Sequence, residues 1–426
     1  MDIKIPNTDK KRVVIIGGGF GGLALADKLC NGEFQVVLLD KHNYHQFQPL
    51  LYQVASAGLE PSSISFPFRK NFRKKRNFYF RMAQVKSVLF ENNEVETNSG
   101  NVKYDYLVIA AGTTTNFFGN ETLRQASLPM KSVEEALTLR NTLLLHLERA
   151  MDTTDSQERK ALLNVVIVGG GATGVEIAGA ISEMRKYIIP KDYPDLGDDE
   201  FNIHLVEGSH RLLAAMSEEA SANALKYLTD MGVEITLERH VENYESGCAV
   251  LSDGRTIPTK TLIWVSGVTA EHFENIPSES IGRGGRLIVD KINLLKGTQN
   301  VFVIGDIALQ TEANYPKGHP QVAPVAIQQG ELLADNLKRM LKGQSPIAFE
   351  YVNKGTLATI GRNKGVADLK KLRLSGFFAW MVWLLVHLRS ILGVKNKLMI
   401  LINWIWNYLT YDQSVRFIFR SRPKED

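Results

Sequence analysis

The residues best suited to chemistry near the start of this sequence are three glycines in the spacing G-x-G-x-x-G, namely Gly17, Gly19 and Gly22. They follow an apolar, β-branched run at 13–16 and precede a predicted helix over 23–29. The first glycine permits a tight turn, the second lets a pyrophosphate approach the backbone, and the third lets helix and strand pack closely. Asp40 ends the next predicted strand, 18 residues after Gly22, where an acid can bind a ribose diol. The spacing therefore predicts a dinucleotide site at the helix N-terminus.

The same arrangement recurs in the middle of the chain. A second apolar run at 164–168 leads into Gly169, Gly171 and Gly174, and a helix is predicted from about 172 to 189. The strand predicted at 201–206 ends in Glu207. An internal repeat of this kind predicts two nucleotide folds in one chain.

The acid of the second repeat bears on the choice of nucleotide. A carboxylate at Glu207 accepts the 2′-hydroxyl of NAD(H) and repels the 2′-phosphate of NADP(H), although His210 and Arg211 nearby weaken that preference. The alternative is that Glu207 is only a solvated acid at a strand end.

Other positions near the two loops could also contact cofactors. Buried strands are predicted to end in small residues at Gly112 and Gly267, where the backbone can pass close to a ligand. A further strand runs into Gly305-Asp306, which suits a second contact to the first nucleotide, the alternative being a helix N-cap. The aromatic, amide-rich stretch 41–55 is either a packed loop or a contact of Gln48, Pro49 and Tyr52 with the ring end of the dinucleotide.

Composition excludes several other kinds of site. The only cysteines among the 426 residues are Cys30 and Cys248, which argues against a disulfide framework, an iron–sulfur cluster or a redox-active thiol couple. No metal-binding motif is predicted, and no nucleic-acid-binding module is recognised. Residues 1–12 are polar and have no signal-peptide pattern, so the cytoplasm is the expected compartment.

The last part of the chain has a different character. Residues 361–426 contain 12 Lys/Arg and 4 Asp/Glu, and the runs 374–388 and 398–411 are uncharged and rich in tryptophan. As helices these runs would be roughly 22 and 21 Å long, which is short of a hydrocarbon core of ~30 Å. Basic flanks beside Trp-rich apolar runs predict helices that lie on an anionic membrane surface. A buried helical hairpin or a dimer contact is the alternative.

Two dinucleotide folds without redox-active thiols predict a flavin in one fold and a nicotinamide in the other. The apolar tail suggests a lipid-soluble electron acceptor such as a quinone. A helix is predicted to open at His319 and continue to about Lys342, and its N-terminus, near Ala323, could face the electron-rich edge of a reduced flavin.

With these features, the sequence resembles the bacterial type II NADH:quinone oxidoreductases over essentially its whole length. The shared features are the two glycine loops, the block 44–55, Gly171-Ala-Thr-Gly-Val-Glu176, Gly305-Asp306, Ala326-Ile-Gln-Gln-Gly330, the segment 355–361 and the Trp-rich tail. The resemblance implies FAD in the first fold, NADH in the second, and menaquinone or ubiquinone as acceptor. It also implies a peripheral enzyme on the cytoplasmic side of the cell membrane, compatible with a homodimer, and a role for Glu176 close to flavin and nicotinamide.

The sequence departs from the family at the helix that faces the quinone. The family pattern Ala-Gln-x-Ala-x-Gln reads Ala323-Pro-Val-Ala-Ile-Gln328, and Pro324 has neither a polar side chain nor a backbone N–H to offer a quinone carbonyl. Gln328 is retained, as a catalytic candidate. The quinone-contact candidates are Gln321, Pro324, Gln328 and Lys354.

The predicted architecture is an α/β fold with two Rossmann-type dinucleotide-binding domains and a C-terminal amphipathic helical region that anchors to the membrane. The predicted domains are 1–130 and 281–345 for FAD, 131–280 for NADH and 346–426 for the membrane surface. Two other functions stay open: an FAD-dependent NADH:acceptor reductase acting on ferredoxin or a radical, and a flavin-binding NADH sensor. A sulfide:quinone oxidoreductase is disfavoured because its cysteines are missing.

Overall fold

The computed structural model describes residues 2–197, 199–413 and 415–418. These residues form two compact units. The first contains the described residues within Met1–Gln46, Phe66–Thr114 and Val268–Asn353, and the second those within Phe47–Ser65, Thr115–Gly267 and Lys354–Asp426. Each unit contains one of the two glycine loops.

The core of the first unit is a five-stranded parallel sheet. In spatial order its strands are Val301–Val303, Tyr106–Ile109, Arg12–Ile16, Gln35–Asp40 and Phe78–Met82. The central strand is almost fully buried, as its continuous apolar run requires for a sheet that is covered on both faces. Its register places Val14 opposite Val37 on one side and Leu107 on the other.

Two helices of the first unit pack closely on each other, Phe20–Leu29 and Ala323–Leu341. A Cβ on Gly330 would overlap the carbonyl oxygen of Gly21, so glycine is needed at this crossing. The second helix begins at Ala323, and the prediction that it opens at His319 was therefore wrong. Pro324 occupies its first turn. Backbone N–H groups in the first turn have no partner within the helix, so proline costs no hydrogen bond there.

The remaining elements of the first unit are short. They are the helix Phe68–Asn71, the antiparallel strands Val85–Leu89, Glu94–Thr97 and Gly100–Lys103, the short strands Tyr44–Gln46, Leu287–Ile288 and Ala308–Leu309, and the 3₁₀ turns Phe90–Asn92, Ser278–Ser280, Arg283–Gly285 and Gly305–Ile307. The short strands Ser65–Pro67, Thr113–Thr115 and Val268–Ala270 lie at the points where the chain passes from one unit to the other.

The second unit repeats the parallel sheet. In spatial order the strands are Ser127–Pro129, Thr261–Trp264, Asn164–Val168, Asn202–Glu207 and Glu234–Leu237. An antiparallel sheet of Val241–Glu245, Cys248–Leu251 and Thr256–Pro258 accompanies it. The helices of this part are Leu51–Ala55, Glu121–Ala126, Val133–Asp152, Ser156–Leu163, Ala172–Tyr187, Ile189–Asp192 and Glu218–Asp230, and Gln48–Leu50 and Pro61–Ser63 are 3₁₀ turns. A capping box between Ser132 and Glu135 fixes the start of the longest one, Val133–Asp152.

The C-terminal part of the second unit is built from an antiparallel sheet and two helices. The strands are Thr356–Gly361, Lys364–Leu369 and Leu372–Ser375, and the helices are Gly376–Ser390 and Val394–Thr410. The first strand packs against the helix Ala172–Tyr187 so tightly that a Cβ on Gly179 would overlap the carbonyl oxygen of Ile360. The C-terminal sheet is thus packed directly on the second nucleotide fold.

The two C-terminal helices expose much apolar surface. Phe378 and Leu409 are 70% and 72% exposed, and Leu385, Ile402 and Trp406 are exposed as well. Trp383, by contrast, is buried, so the predicted membrane-facing run includes a core residue. Among the described residues, no helix is both long and apolar enough to cross a membrane.

Candidate functional site

The first glycine loop has the geometry of a phosphate cradle. Gly17 has a φ of +98°, and a Cβ there would lie 2.5 Å from the carbonyl oxygen of Ala110. A Cβ on Gly22 would overlap the carbonyl oxygen of Gly17, which is the close strand–helix packing that the third glycine allows. A Cβ on Gly19 would meet nothing within 4 Å. That side of the loop is therefore open for a ligand at the helix N-terminus.

Asp40 braces this loop. One carboxylate oxygen accepts the Gly18 backbone N–H at 2.7 Å, and the other accepts the His42 backbone N–H at 2.7 Å. Burial raises the pKa of Asp40, and the two backbone hydrogen bonds oppose that rise. Each oxygen keeps a further lone pair, so the carboxylate can also accept a ribose hydroxyl.

The second loop repeats this geometry in the second unit. Gly169 has a φ of +113°, a Cβ on Gly174 would overlap the Gly169 carbonyl oxygen, and a Cβ on Gly171 would meet nothing within 4 Å. Glu207 is the equivalent of Asp40, because its carboxylate accepts hydrogen bonds from the backbone N–H groups of Gly170 and Ser209. Both predicted loop–acid pairs are thus brought together.

The first unit gathers a further group of predicted residues beside its glycine loop. Gly305 has a φ of +77°, and a Cβ there would lie 3.3 Å from that of Ala326, in the first turns of the helix that begins at Ala323. Asp306 follows in a 3₁₀ turn, and its carbonyl oxygen accepts the Gln321 side-chain amide at 3.0 Å.

Gln329 is a site residue that sequence reasoning missed. Its side-chain oxygen accepts the Gly305 N–H at 2.7 Å, and its amide donates to the Gln310 side chain at 3.3 Å. The neighbouring Gln328, which was singled out, instead donates to the Val352 carbonyl and accepts the Val352 N–H, both at 3.0 Å. The sequence signal that could have found it is the pair of adjacent glutamines in this helix. In the structure Gln329 is buried, whereas Gln328 faces the chain segment at Val352.

The other predicted contacts are distributed between the two units. Gly112 in the first unit has a φ of +72° and open space where a Cβ would be. In the second unit Gly267 has a φ of +78°, and its carbonyl oxygen accepts the Asn116 N–H at 3.3 Å. The Gln48 amide donates to the Lys131 carbonyl at 3.2 Å. Lys354 is exposed at the start of the C-terminal sheet segment.

Glu176 lies in the second unit on the helix that follows the second loop. Its carboxylate accepts the Thr359 N–H at 3.4 Å. Burial raises its pKa to about 8, against smaller opposing effects of the Thr359 N–H and the Trp383 side chain. At neutral pH the side chain is therefore largely protonated and can donate a proton.

Glu176 lines a cavity of about 130 Å³ within the second unit. The cavity wall is rich in aromatic side chains and includes a second acid, Glu183. The side chains that carry the chemistry of the wall are Tyr52, Glu176, Glu183, Arg362, Trp383 and Tyr408. Of these, Glu176 and Tyr52 were singled out from the sequence as site residues, and Trp383 and Tyr408 only as members of the Trp-rich C-terminal runs.

The two cysteines offer no thiol redox couple. Both are free, and Cys30 is buried so that the pKa of its thiol rises to about 12. A thiol with such a pKa is scarcely ionised and is a poor nucleophile.

Comparison with known proteins gives the chain its family. The family model described as pyridine nucleotide-disulphide oxidoreductase matches residues 11–330, and that of the NDH2 C-terminal domain matches residues 353–411. The type II NADH:quinone oxidoreductase Ndh of Mycobacterium tuberculosis is 33% identical over 94% of this chain and 89% of its own length. The type II NADH:quinone oxidoreductase of Staphylococcus aureus is 30% identical over 84% of this chain and 89% of its own length.

Solved structures agree with this fold. The structure of NDH2 from Plasmodium falciparum in complex with NADH superposes with a TM-score of 0.88 at 21% identity, covering 96% of this chain and all of that one. Membership of the first family implies a flavin cofactor. The chain therefore belongs to the pyridine nucleotide-disulphide oxidoreductase family and, within it, to the type II NADH:quinone oxidoreductases.

Proposed function

We propose that the chain oxidises NADH and reduces a membrane quinone, with FAD on the first glycine loop and NADH on the second. The observation that carries the proposal is the duplicated loop–acid pair, Gly17–Gly22 with Asp40 and Gly169–Gly174 with Glu207. When bound, the flavin would take a hydride from the nicotinamide and pass two electrons to the quinone. The protein supplies binding, orientation and protons.

The first unit offers what an FAD needs. The open face at Gly19 fits the pyrophosphate, and Asp40 fits the ribose of the adenosine half. Gly112, Gly305 and Asp306 provide close backbone approach for the rest of the cofactor. The helix that begins at Ala323 would present free N–H groups to the electron-rich edge of the ring.

The second unit offers an equivalent site for NADH. Gly171 is open on the ligand side, and Glu207 is oriented by two backbone N–H groups so that it can accept a 2′-hydroxyl. A 2′-phosphate at this place would meet a carboxylate, which favours NADH over NADPH.

The chain offers no thiol couple as a relay, and a quinone is the electron acceptor that best fits its apolar C-terminal helices. Glu176, protonated at neutral pH, can supply a proton to the reduced quinone. Gln321 and Lys354 remain candidates for direct quinone contact. Gln328 would act by holding Val352 in place, since both polar atoms of its amide bind that backbone.

The C-terminal helices would bring the protein to the cytoplasmic face of the cell membrane as a peripheral protein. Their exposed Phe378, Leu385 and Leu409 lie on the same segment as the exposed basic residues Arg373 and Arg389. Apolar surface inserted among headgroups and cations facing anionic lipid both favour attachment. A homodimer that covers part of this surface is compatible with the proposal.

A test of attachment is co-sedimentation of the protein with vesicles that contain anionic lipid. The substitution Leu409→Glu should reduce binding, whereas Met82→Glu, which changes an exposed apolar residue of the first unit, should not. Equal binding by both variants and the wild type would contradict the proposed surface.

The decisive experiment for function is an absorbance spectrum of the purified protein. We expect a flavin band that NADH bleaches and that a short-chain quinone restores, with steady NADH oxidation when all three are present. A protein that neither copurifies with flavin nor binds added FAD would refute the proposal. A flavin bleached by NADH but restored only by ferredoxin would favour the acceptor-reductase alternative.

A further inference from the structure

Two acidic residues of the second unit line the same cavity. Glu176 and Glu183 are both on the helix Ala172–Tyr187, seven residues apart, and therefore face the same side two turns from each other. Both side chains keep some accessible surface although protein surrounds them, and burial raises the pKa of each. Two carboxylic acids whose protonated forms are favoured by burial are thus placed along one cavity wall.

The strand beside the helix holds the two acids in this arrangement. Glu176 accepts the Thr359 N–H, and Glu183 accepts the Arg362 N–H at 2.5 Å. Between the two bonds Gly179 lets the helix touch the strand at Ile360. Because the helix and strand are in direct contact there, neither carboxylate can move far from its partner.

Tyr52 connects the two acids electrostatically. Its hydroxyl is buried, and both Glu176 and Glu183 contribute to the rise in its pKa, after the larger effect of burial. The hydroxyl oxygen accepts the Gln53 amide at 2.8 Å, so its own hydrogen can be donated to a carboxylate or to water. A proton-carrying group therefore lies within electrostatic reach of both acids.

The distance between the acids requires intermediate carriers. Seven residues of helix span roughly 10 Å along the axis, too far for direct transfer. The cavity of about 130 Å³ has room for about four waters at ~30 Å³ each, enough to bridge that span together with the tyrosine.

The rim of the cavity near Glu183 is accessible. The Arg362 guanidinium lies over the rings of Tyr408 and Tyr411, 3.8 and 3.9 Å from their centres, and both tyrosines are partly exposed. Arg362 and Lys364 are the cations that face Glu183, and both favour its ionised form. Glu183 is thus placed nearer this charged rim than Glu176, which faces Thr359 and Trp383.

The reaction itself needs a supply of protons. NADH gives up two electrons and one proton as a hydride. A quinone takes up two electrons and two protons to become a quinol, so each turnover must draw one further proton from water. We propose that Glu183 collects this proton at the Arg362–Tyr408–Tyr411 rim and passes it through the cavity, by way of the Tyr52 hydroxyl, to Glu176. This inference rests on the proposed function.

The test compares two acceptors in the full-length holoenzyme. Glu183→Gln keeps the size of the side chain and an acceptor for the Arg362 N–H but cannot carry a proton. NADH:quinone turnover should fall about ten- to hundredfold. This loss is no larger than the loss usually seen when a general acid is removed. Turnover with ferricyanide, which accepts electrons without protons, should stay within about twofold of the wild type. Glu219→Gln, the same change at an exposed helical acid, is the matched control and should affect neither rate.

The outcomes separate the relay from the function. If the wild type fails to reduce quinone with NADH, the proposed function is wrong and the relay with it. The wild type could instead be active while Glu183→Gln keeps the full quinone rate throughout a range of roughly pH 6 to 9, on both sides of neutrality. In that case only the relay is wrong. Equal loss with quinone and ferricyanide would show a structural role and would also overturn the relay.

A second variant protects the test against misfolding. Tyr52→Phe removes only the hydroxyl from the cavity and should lower quinone turnover by a smaller factor, again without effect on ferricyanide. A weak acid small enough to enter the cavity, such as formic acid, should partly restore quinone turnover in Glu183→Gln and leave Glu219→Gln unchanged. Absence of both effects would overturn the relay.

Discussion

The two nucleotide folds of this chain are alike at their loops and differ in what covers the helix behind each loop. At both loops the first glycine has a positive φ, the third packs on the carbonyl of the first, and an acid accepts two backbone N–H groups. Two residues after the third glycine, however, the first fold has Ala24 and the second has Glu176. The loop geometry is repeated, and the acid that can carry a proton is found in only one copy.

What packs on each helix explains the difference. The first helix, Phe20–Leu29, lies against the helix Ala323–Leu341 through glycine contacts at Gly21 and Gly330. The second, Ala172–Tyr187, lies against a β-strand from which the Thr359 and Arg362 N–H groups donate to Glu176 and Glu183. A helix neighbour offers no free backbone donors along its side, whereas an edge of strand does. Glu176 and Glu183 therefore find backbone partners on the strand that packs against the second helix.

The largest expected effects come from filling the two loops. In Gly22→Ala and Gly174→Ala the new methyl group would overlap a backbone carbonyl oxygen, which cannot move without shifting the strand. We expect Gly22→Ala to lose its flavin, and Gly174→Ala to keep flavin that NADH no longer bleaches. Flavin absorbance measures cofactor retention, and titration with NADH measures reduction of the flavin. Each variant is the control for the other. Loss of flavin from Gly174→Ala would contradict the assignment of one nucleotide to each loop.

The next largest effect concerns the acid present in only one fold. Glu176→Gln should lower NADH:quinone turnover about a hundredfold, as expected for loss of a general acid, with little effect on turnover with ferricyanide. Because burial raises the pKa of Glu176 to about 8, the side chain is protonated below that pH and loses its proton above it. Wild-type quinone turnover should therefore fall as the pH rises through about 8, and the pH–rate profile of Glu176→Gln should lack this step. A wild-type profile that is flat from neutral pH upwards would argue against Glu176 as the donor.

The similarity between the folds was largely predictable from sequence, whereas of the two acids of the second fold only Glu176 was singled out. Glycine spacing, β-branched runs and the acids Asp40 and Glu207 are local signals, since the backbone of the loop itself demands them. Glu183 was not singled out because an acid in a helix is usually solvated, and the strand that binds it lies some 180 residues further along the chain. Trp383 belongs to a run that was predicted to lie on the membrane, with a buried hairpin as the alternative, and at this residue the alternative is correct. Its ring packs against Trp404 of the next helix and against Tyr52, which is more than 300 residues away in sequence.

The start of the helix at Ala323 was also not predictable from the sequence. Pro320 and Pro324 both fit the preference of proline for the first helical turn, and the sequence does not decide between them. In the structure Val322 is the N-cap and Pro324 is in the first turn.

A moderate effect is expected at the acids that brace the loops. Glu207→Gln keeps one acceptor oxygen but presents an amide N–H₂ to the second backbone donor and removes the negative charge. KM for NADH should rise about tenfold, the worth of roughly one charge-assisted hydrogen bond, and the preference for NADH over NADPH should narrow. Asp40→Asn makes the same change in the first fold and should weaken flavin retention while leaving that preference unaltered. If Glu207→Gln left both KM values unchanged, Glu207 would be a loop brace only.

The smallest effect is expected at Pro324, which in the first fold takes the place of a family glutamine. Position 324 lies in the first helical turn, where no intrahelical N–H bond is lost or gained, so Pro324→Gln should fold normally. If a quinone carbonyl lies at this helix start, the new amide should lower KM for quinone about two- to tenfold, the worth of one hydrogen bond of roughly 0.5–1.5 kcal/mol. Pro320→Gln, which precedes the helix, is the control and should leave KM unchanged. An unchanged KM in Pro324→Gln would argue against a quinone carbonyl at the start of this helix.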